Sequence, residues 1–290
     1  MAFLEPVAAG QEPVALRTGR RRLDLSRIGL AEKAGFVAVI LITLVALAAP
    51  LIAPHDPDTT VGPNLQSPGG EFLLGTDDVG RDVFSRILYG TRTSWFSALA
   101  VVSVGALIGL VIGLLAGIRG GWIDSVLMRI TDAGLALPGP VIAIAVAVAL
   151  GPSLFHTLLA VTLVWWPWYA RIIRGEARAV VVRPHFDAAR LAGVGGAGLA
   201  FRHVVPGVLP AVIVAASVDL GYLILTLAGL SFLGLGAPPP AAELGGMASQ
   251  GLEYLFSFPW VALAPAVAVF VLAVAANLAG DGLRDLLEDA

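Results

Sequence analysis

The chain has 290 residues, 57% of them hydrophobic and only 13% charged, with a formal net charge of −3. That balance places it among polytopic membrane proteins rather than soluble domains, and no nucleic-acid partner is expected. It has no cysteine, which excludes disulfides and thiolate metal sites.

Residues 1–33 are polar and hold Arg17, Arg20, Arg21, Arg22, Arg27 and Lys33. They read as a cytoplasmic tail able to touch anionic lipid. Residues 34–53 are free of charge, and twenty residues cross about 30 Å of hydrocarbon at about 1.5 Å each. Ala46-Leu47-Ala48 mimics a signal-peptidase site, but the stretch exceeds the apolar core of about 7–15 residues that such peptides have. We read 34–54 as an uncleaved first span. Residues 55–92 form an outside loop in which Pro57, Pro63 and Pro68 oppose a helix. Beyond Thr76, Asp77/Arg81 and Asp82/Arg86 are acid-first i,i+4 pairs, which predicts an amphipathic surface helix over 74–86.

Residues 93–118 make a second span, in which Gly105, Gly109, Gly113 and Gly117 recur every four positions and share a face suited to close packing. Residues 133–170 carry no Asp, Glu, Lys or Arg and are too long for one span. Two spans are predicted, broken near Gly151-Pro152 and kinked by Pro138, Pro140 and Pro167.

Residues 171–210 carry six arginines between apolar segments. Pro184 suits the first turn of a short helix, and Asp187 then lies near its positive end. Ala188, Ala189 and Arg190 continue it, and Gly193 can close it in a left-handed cap. Gly195, Gly196 and Gly198 keep the chain loose before a second short helix over 199–204, which would stop before Pro206. On charge alone this is a cytoplasmic loop whose arginines fix orientation. A fifth span covers 209–235 and holds Asp219, the only acid inside a predicted span. The sixth covers 254–280, with Phe258-Pro259-Trp260 as interfacial anchor, and 281–290 is a cytoplasmic tail. With the N-terminus inside, fifteen of the 18 Lys and Arg residues fall inside, and Arg81, Arg86 and Arg92 outside. The positive-inside rule is satisfied with both termini cytoplasmic.

There is no GxxxxGK[ST] loop, so any ATP would be bound by another subunit. His55, His156, His185 and His203 include no i,i+4 pair and suggest no metal site. Ser217 stands two residues before Asp219, which raises an intramembrane hydrolase as a rival. The absence of GxSxG, HExxH and a second intramembrane acid opposes it, and no catalytic residue is assigned. Asp219 either lines a passage as counter-charge to a ligand's amino terminus, with Ser217 beside it, or makes a buried hydrogen bond to a neighbouring helix.

Asp187-Ala188-Ala189, Gly193 and Val205-Pro206 at their spacing resemble the coupling-loop motif of ABC importer permeases. In that family the loop begins Glu-Ala-Ala and ends Leu-Pro. LGTDDVGRDVFSR (74–86), LSFLGLG (230–236) followed by APPPAAELGGM, and NLAGDGLRDLL (277–287) resemble further signatures of the C-type permease of dipeptide and oligopeptide importers. Leu244 stands where that family usually has Trp. The resemblance implies an all-α type I permease fold of six transmembrane helices, with a five-helix core over 93–280. Asp187, Ala188, Ala189, Arg190, Gly193 and Pro206 would form the element that couples to an ATPase. Implied partners are a second homologous permease, two ATP-binding subunits holding ATP and Mg, an extracytoplasmic substrate-binding protein and membrane lipid. The implied activity is import of di- or oligopeptides by alternating access in the bacterial cytoplasmic membrane. Nickel chelates, oligosaccharides or opines are alternative cargoes of similar permeases.

Overall fold

The computed structural model describes residues 29–288. The expected N-terminal tail lies outside the described residues except for 29–33, as do residues 289 and 290 of the C-terminal one. Among the described residues, all regular structure is helical save two isolated bridges in the loop before the second helix. In chain order the helices are α1 (Leu30–Ile52), α2 (Val83–Arg119), α3 (Gly121–Leu135), α4 (Gly139–Leu150), α5 (Leu154–Val181), α6 (Pro184–Leu191), α7 (Gly196–Leu199), α8 (Val205–Phe232), α9 (Leu244–Gly251) and α10 (Trp260–Glu288).

Among the described residues, four helical stretches are long and apolar enough to cross a membrane: α1, α2, the run Gly196–Phe232 that joins α7 to α8, and α10. The pair α3–α4, bent by 84°, supplies a fifth if counted as one. Pro138 sits in the break and Pro140 in the first turn of α4, where its missing N–H is harmless. The apolar stretch expected as a third span is therefore joined to α3 through a sharp bend. The 12 residues of α4 reach only about 18 Å, short of a bilayer's hydrocarbon.

The glycine stripe of α2 faces α5. A Cβ on Gly109 would lie 2.4 Å from Tyr169 Cβ, one on Gly113 2.7 Å from the Ala170 carbonyl oxygen, and one on Gly117 2.6 Å from Ala177 Cβ. Gly105 is looser, at 3.6 Å from the Tyr169 ring. With no hydrophobic drive between helices in lipid, such backbone approach is what holds them together. The same device recurs where α1 crosses α10, with Gly35 against Leu278 and Ala279, and where α10 crosses α8, with Gly280 against Ser217 and Val218.

The surface helix predicted over 74–86 is not formed; helix begins only at Val83. Gly75 and Gly80 take positive φ, which breaks any helix there. Asp82 instead caps α2, its carboxylate accepting from the Phe84 and Ser85 N–H groups. The Asp77–Arg81 pair does form, at 2.6 Å, but across a turn. Arg86, 2% exposed, does not pair with Asp82. It donates to the Pro57 carbonyl at 2.6 Å and the Pro240 carbonyl at 3.1 Å, with Asp77 Oδ2 at 3.6 Å. One guanidinium thus ties the first loop to the loop between α8 and α9. In that second loop Glu243 caps α9 through the Gly245 and Gly246 N–H groups. Burial lifts its carboxyl above the ordinary range, against the hydrogen bonds that favour its charge.

Gly109→Ala should lower the thermal midpoint of the solubilised protein, because overpacking costs about 1–3 kcal/mol. Gly105→Ala should leave it unchanged or raise it. Equal midpoints for the two variants would show that the stripe does not set the α2–α5 distance.

Candidate coupling loop and membrane cavity

Residues 171–181 are not loop: α5 continues through them, so Arg171, Arg174 and Arg178 project from its end. Three of the six arginines are thereby paired with α3. Asp124, buried, receives Arg174 through both carboxylate oxygens, the Nη2 contact at 2.7 Å, and Arg178 at 2.8 Å. Arg171 pairs with Asp132 at the surface. A fork-to-fork Arg–carboxylate pair fixes geometry as well as charge. It splints α3 to the far end of α5.

The short helix α6 follows after two residues. Pro184 stands in its first turn and Asp187 lies in that turn too, as the sequence predicts. Gly193 closes it with φ +80°. Its N–H donates to the Arg190 carbonyl, and the Val194 N–H reaches back to the Ala189 carbonyl. That is the paired bonding of a Schellman cap. Asp187, Ala188 and Arg190 are exposed and Ala189 is half-buried.

What the sequence reading missed is the anchor. Phe186, 4% exposed, packs with Ile173, Ala177, Val180, Leu199, Val204 and Val208 of the neighbouring elements. Leu191, at 89% exposed, points the other way. The only signal for Phe186 was a lone aromatic between Pro184 and Asp187.

The second short helix does not end before Pro206. A π-helical turn, Ala200–Val204, joins α7 to α8, and the Val205 N–H donates to the Ala200 carbonyl. Pro206 falls in the first turn of α8, where no N–H is required. The helix runs unbroken from the tip of the loop to the centre of the bundle.

At that centre stands Asp219. It lines a cavity of about 420 Å³ walled by the α3–α4 bend, Trp165, Trp168 and Tyr222. It also lines a second cavity of about 630 Å³, with Trp168, Glu176, Pro210 and Arg284, that extends toward α6. Ser217 lines neither; its hydroxyl donates to the Val214 carbonyl one turn back, at 2.8 Å.

The description "binding-protein-dependent transport system inner membrane component" matches residues 109–290, and "N-terminal TM domain of oligopeptide transport permease C" matches residues 33–68. The chain belongs to this permease family. The "Probable D,D-dipeptide transport system permease protein DdpC" of Escherichia coli K12 is 41% identical over 253 residues, 87% of this chain and 85% of that one. The "Glutathione transport system permease protein GsiD" of Pectobacterium atrosepticum is 38% identical, covering 89% and 86%. Among solved structures, the inward-facing MetNI methionine ABC transporter matches with a TM-score of 0.55 at 20% identity, over 70% of this chain and 97% of that one. At that identity the likeness speaks for the fold alone.

The permease thus presents one end where α5, α6 and α8 meet and another where Arg86 gathers the loops. Truncating a buried Phe costs about 3–5 kcal/mol. For Phe186→Ala that loss should fall on α6: hydrogen exchange of residues 184–191 should accelerate while the first half of α5 stays protected. Unchanged exchange would mean that α6 is held by something other than this ring.

Proposed function

We propose that this permease is one of two membrane subunits of an ATP-driven importer that carries di- or oligopeptides across the bacterial cytoplasmic membrane by alternating access. The observation that carries this reading is the match, over most of the chain, to permeases of peptide-transport systems. Six spans would be α1, α2, the bent α3–α4 pair, α5, α8 and α10, with both termini cytoplasmic. In α5 the first half, residues 154–170, is free of charge and the charged half would leave the membrane.

In this arrangement α6 is the coupling helix. Asp187, Ala188, Arg190 and Leu191 would meet a groove on the ATPase, Ala189 would lie at its edge, Gly193 would set where the helix ends, and Pro206 would start the return into the membrane. Two ATP-binding subunits would hold ATP and Mg, and a second permease would complete the path. A substrate-binding protein would deliver cargo at the Arg86 end. The cargo would pass Asp219 without covalent chemistry. Ser217, its hydroxyl satisfied within α8, would stand behind the wall.

The purified chain alone should hydrolyse no ATP, whereas the complex with its partner subunits should take up a labelled dipeptide when ATP is supplied. Gly193→Val puts a β-branched residue at positive φ, and Asp187→Arg puts a cation at a helix N-terminus. Each should reduce uptake to background at normal membrane levels. Wild-type uptake by Gly193→Val would remove this loop from the coupling role.

A further inference from the structure

The two cavities meet at a single acid, and the groups around it have a common chemistry. Trp165 and Tyr222 stand with ring centroids 5.4 Å apart, and Trp168 borders both cavities. Asp219 is the sole charged residue in the lining of the cavity at the α3–α4 bend. Its carboxylate faces the Tyr169 hydroxyl and the Trp165 indole. Its Oδ2 and the Tyr169 hydroxyl are both buried, whereas Asp219 as a whole is half-buried and lines both cavities.

We propose that Asp219, with Trp165, Trp168 and Tyr222 around it, is a recognition point for the ammonium group of a ligand, placed where one cavity hands over to the next. A carboxylate accepts hydrogen bonds only, and an ammonium offers donors only, so the side of Asp219 that lines the cavity suits such a ligand. Aromatic faces attract a cation through their quadrupole and tolerate the apolar remainder of the ligand. An anionic group would meet the same carboxylate as repulsion. The next cavity contains Glu176 as a second acid, together with Arg284, which is itself engaged within the chain. An ammonium released by Asp219 therefore has another acceptor ahead of it. The peptide reading of the preceding subsection supplies the source of the ammonium, the amino terminus of the cargo. The recognition point itself rests on the cavity.

The chain has no cysteine, so one introduced thiol is its only one. Leu137 lines the cavity at the bend and is exposed, and Leu137→Cys provides the probe position. In the assembled complex in membranes, the rate of its reaction with 2-aminoethyl methanethiosulfonate, a primary ammonium, is divided by the rate with neutral methyl methanethiosulfonate. The ratio should fall about tenfold when Asp219→Asn is added, since the one charge lining that cavity is removed. Asp219→Glu should retain it, and Trp168→Ala should lower it part of the way. An unchanged ratio in Asp219→Asn overturns the proposal, whether or not peptides are carried. Uptake by the parent complex of labelled dialanine and its N-acetyl form then tests the source. If the ratio depends on Asp219 but dialanine is not transported, the ammonium site stands and the peptide cargo falls.

Discussion

Glycines at every fourth position of α2 let α5 lie against it nearly backbone to backbone, and the whole α6 end is built onto that contact. In water a helix pair can rely on burying leucines. In lipid it cannot, and dispersion between closely approached backbones must serve instead. Because α5 is held along most of its length, its last turns can project beyond the apolar zone and still be rigid. Those turns bring Arg174 and Arg178 to Asp124 and present Val180 to Phe186. A looser α2–α5 contact would leave α6 on a flexible stalk.

The consequence for a transport cycle is mechanical. Under the proposed coupling role, a push on α6 would enter α5 through the cluster around Phe186, and α8 through the π-helical turn that joins it to the loop tip. Both of those helices wall the cavities at Asp219. The sharp bend is elsewhere, at residues 136–138, where α3 and α4 meet at 84° with Pro138 in the break. One wall of the cavity thus carries a sharp bend, while α5 is splinted to α3 through Asp124.

Much of this was legible in the chain. The periodic glycines of α2, the Pro184 start and Gly193 stop of α6, and the unbroken apolar run of α1 each follow from a local rule, and local rules are written in consecutive residues. The failures share a cause as well. The segment 74–86 has helical charge spacing, but Gly75, Gly80 and the demands on Arg86 from Pro57 and Pro240 override it, and those partners are distant in sequence. Arg171, Arg174 and Arg178 look like loop charges until Asp124 and Asp132 of α3 are seen opposite them. Pro206 reads as a stop, yet it is an acceptable start. Asp219 was conspicuous as the lone intramembrane acid, whereas its aromatic surround and the junction of two cavities came only with the packing of α5 on α8.

If the bend before α4 moves against a fixed frame of α2, α5 and α6, the motion can be measured directly in a chain without native cysteines. Spin labels on Leu107→Cys in α2 and Leu191→Cys in α6, and separately on Leu107→Cys and Val148→Cys in α4, report two distances in the assembled complex. Pulsed electron resonance with and without trapped ATP should give a constant 107–191 distance and a shifted 107–148 distance. A shifted 107–191 distance beside a constant 107–148 distance would contradict the claim, because α6 would then move without its frame and the bend would not be a hinge.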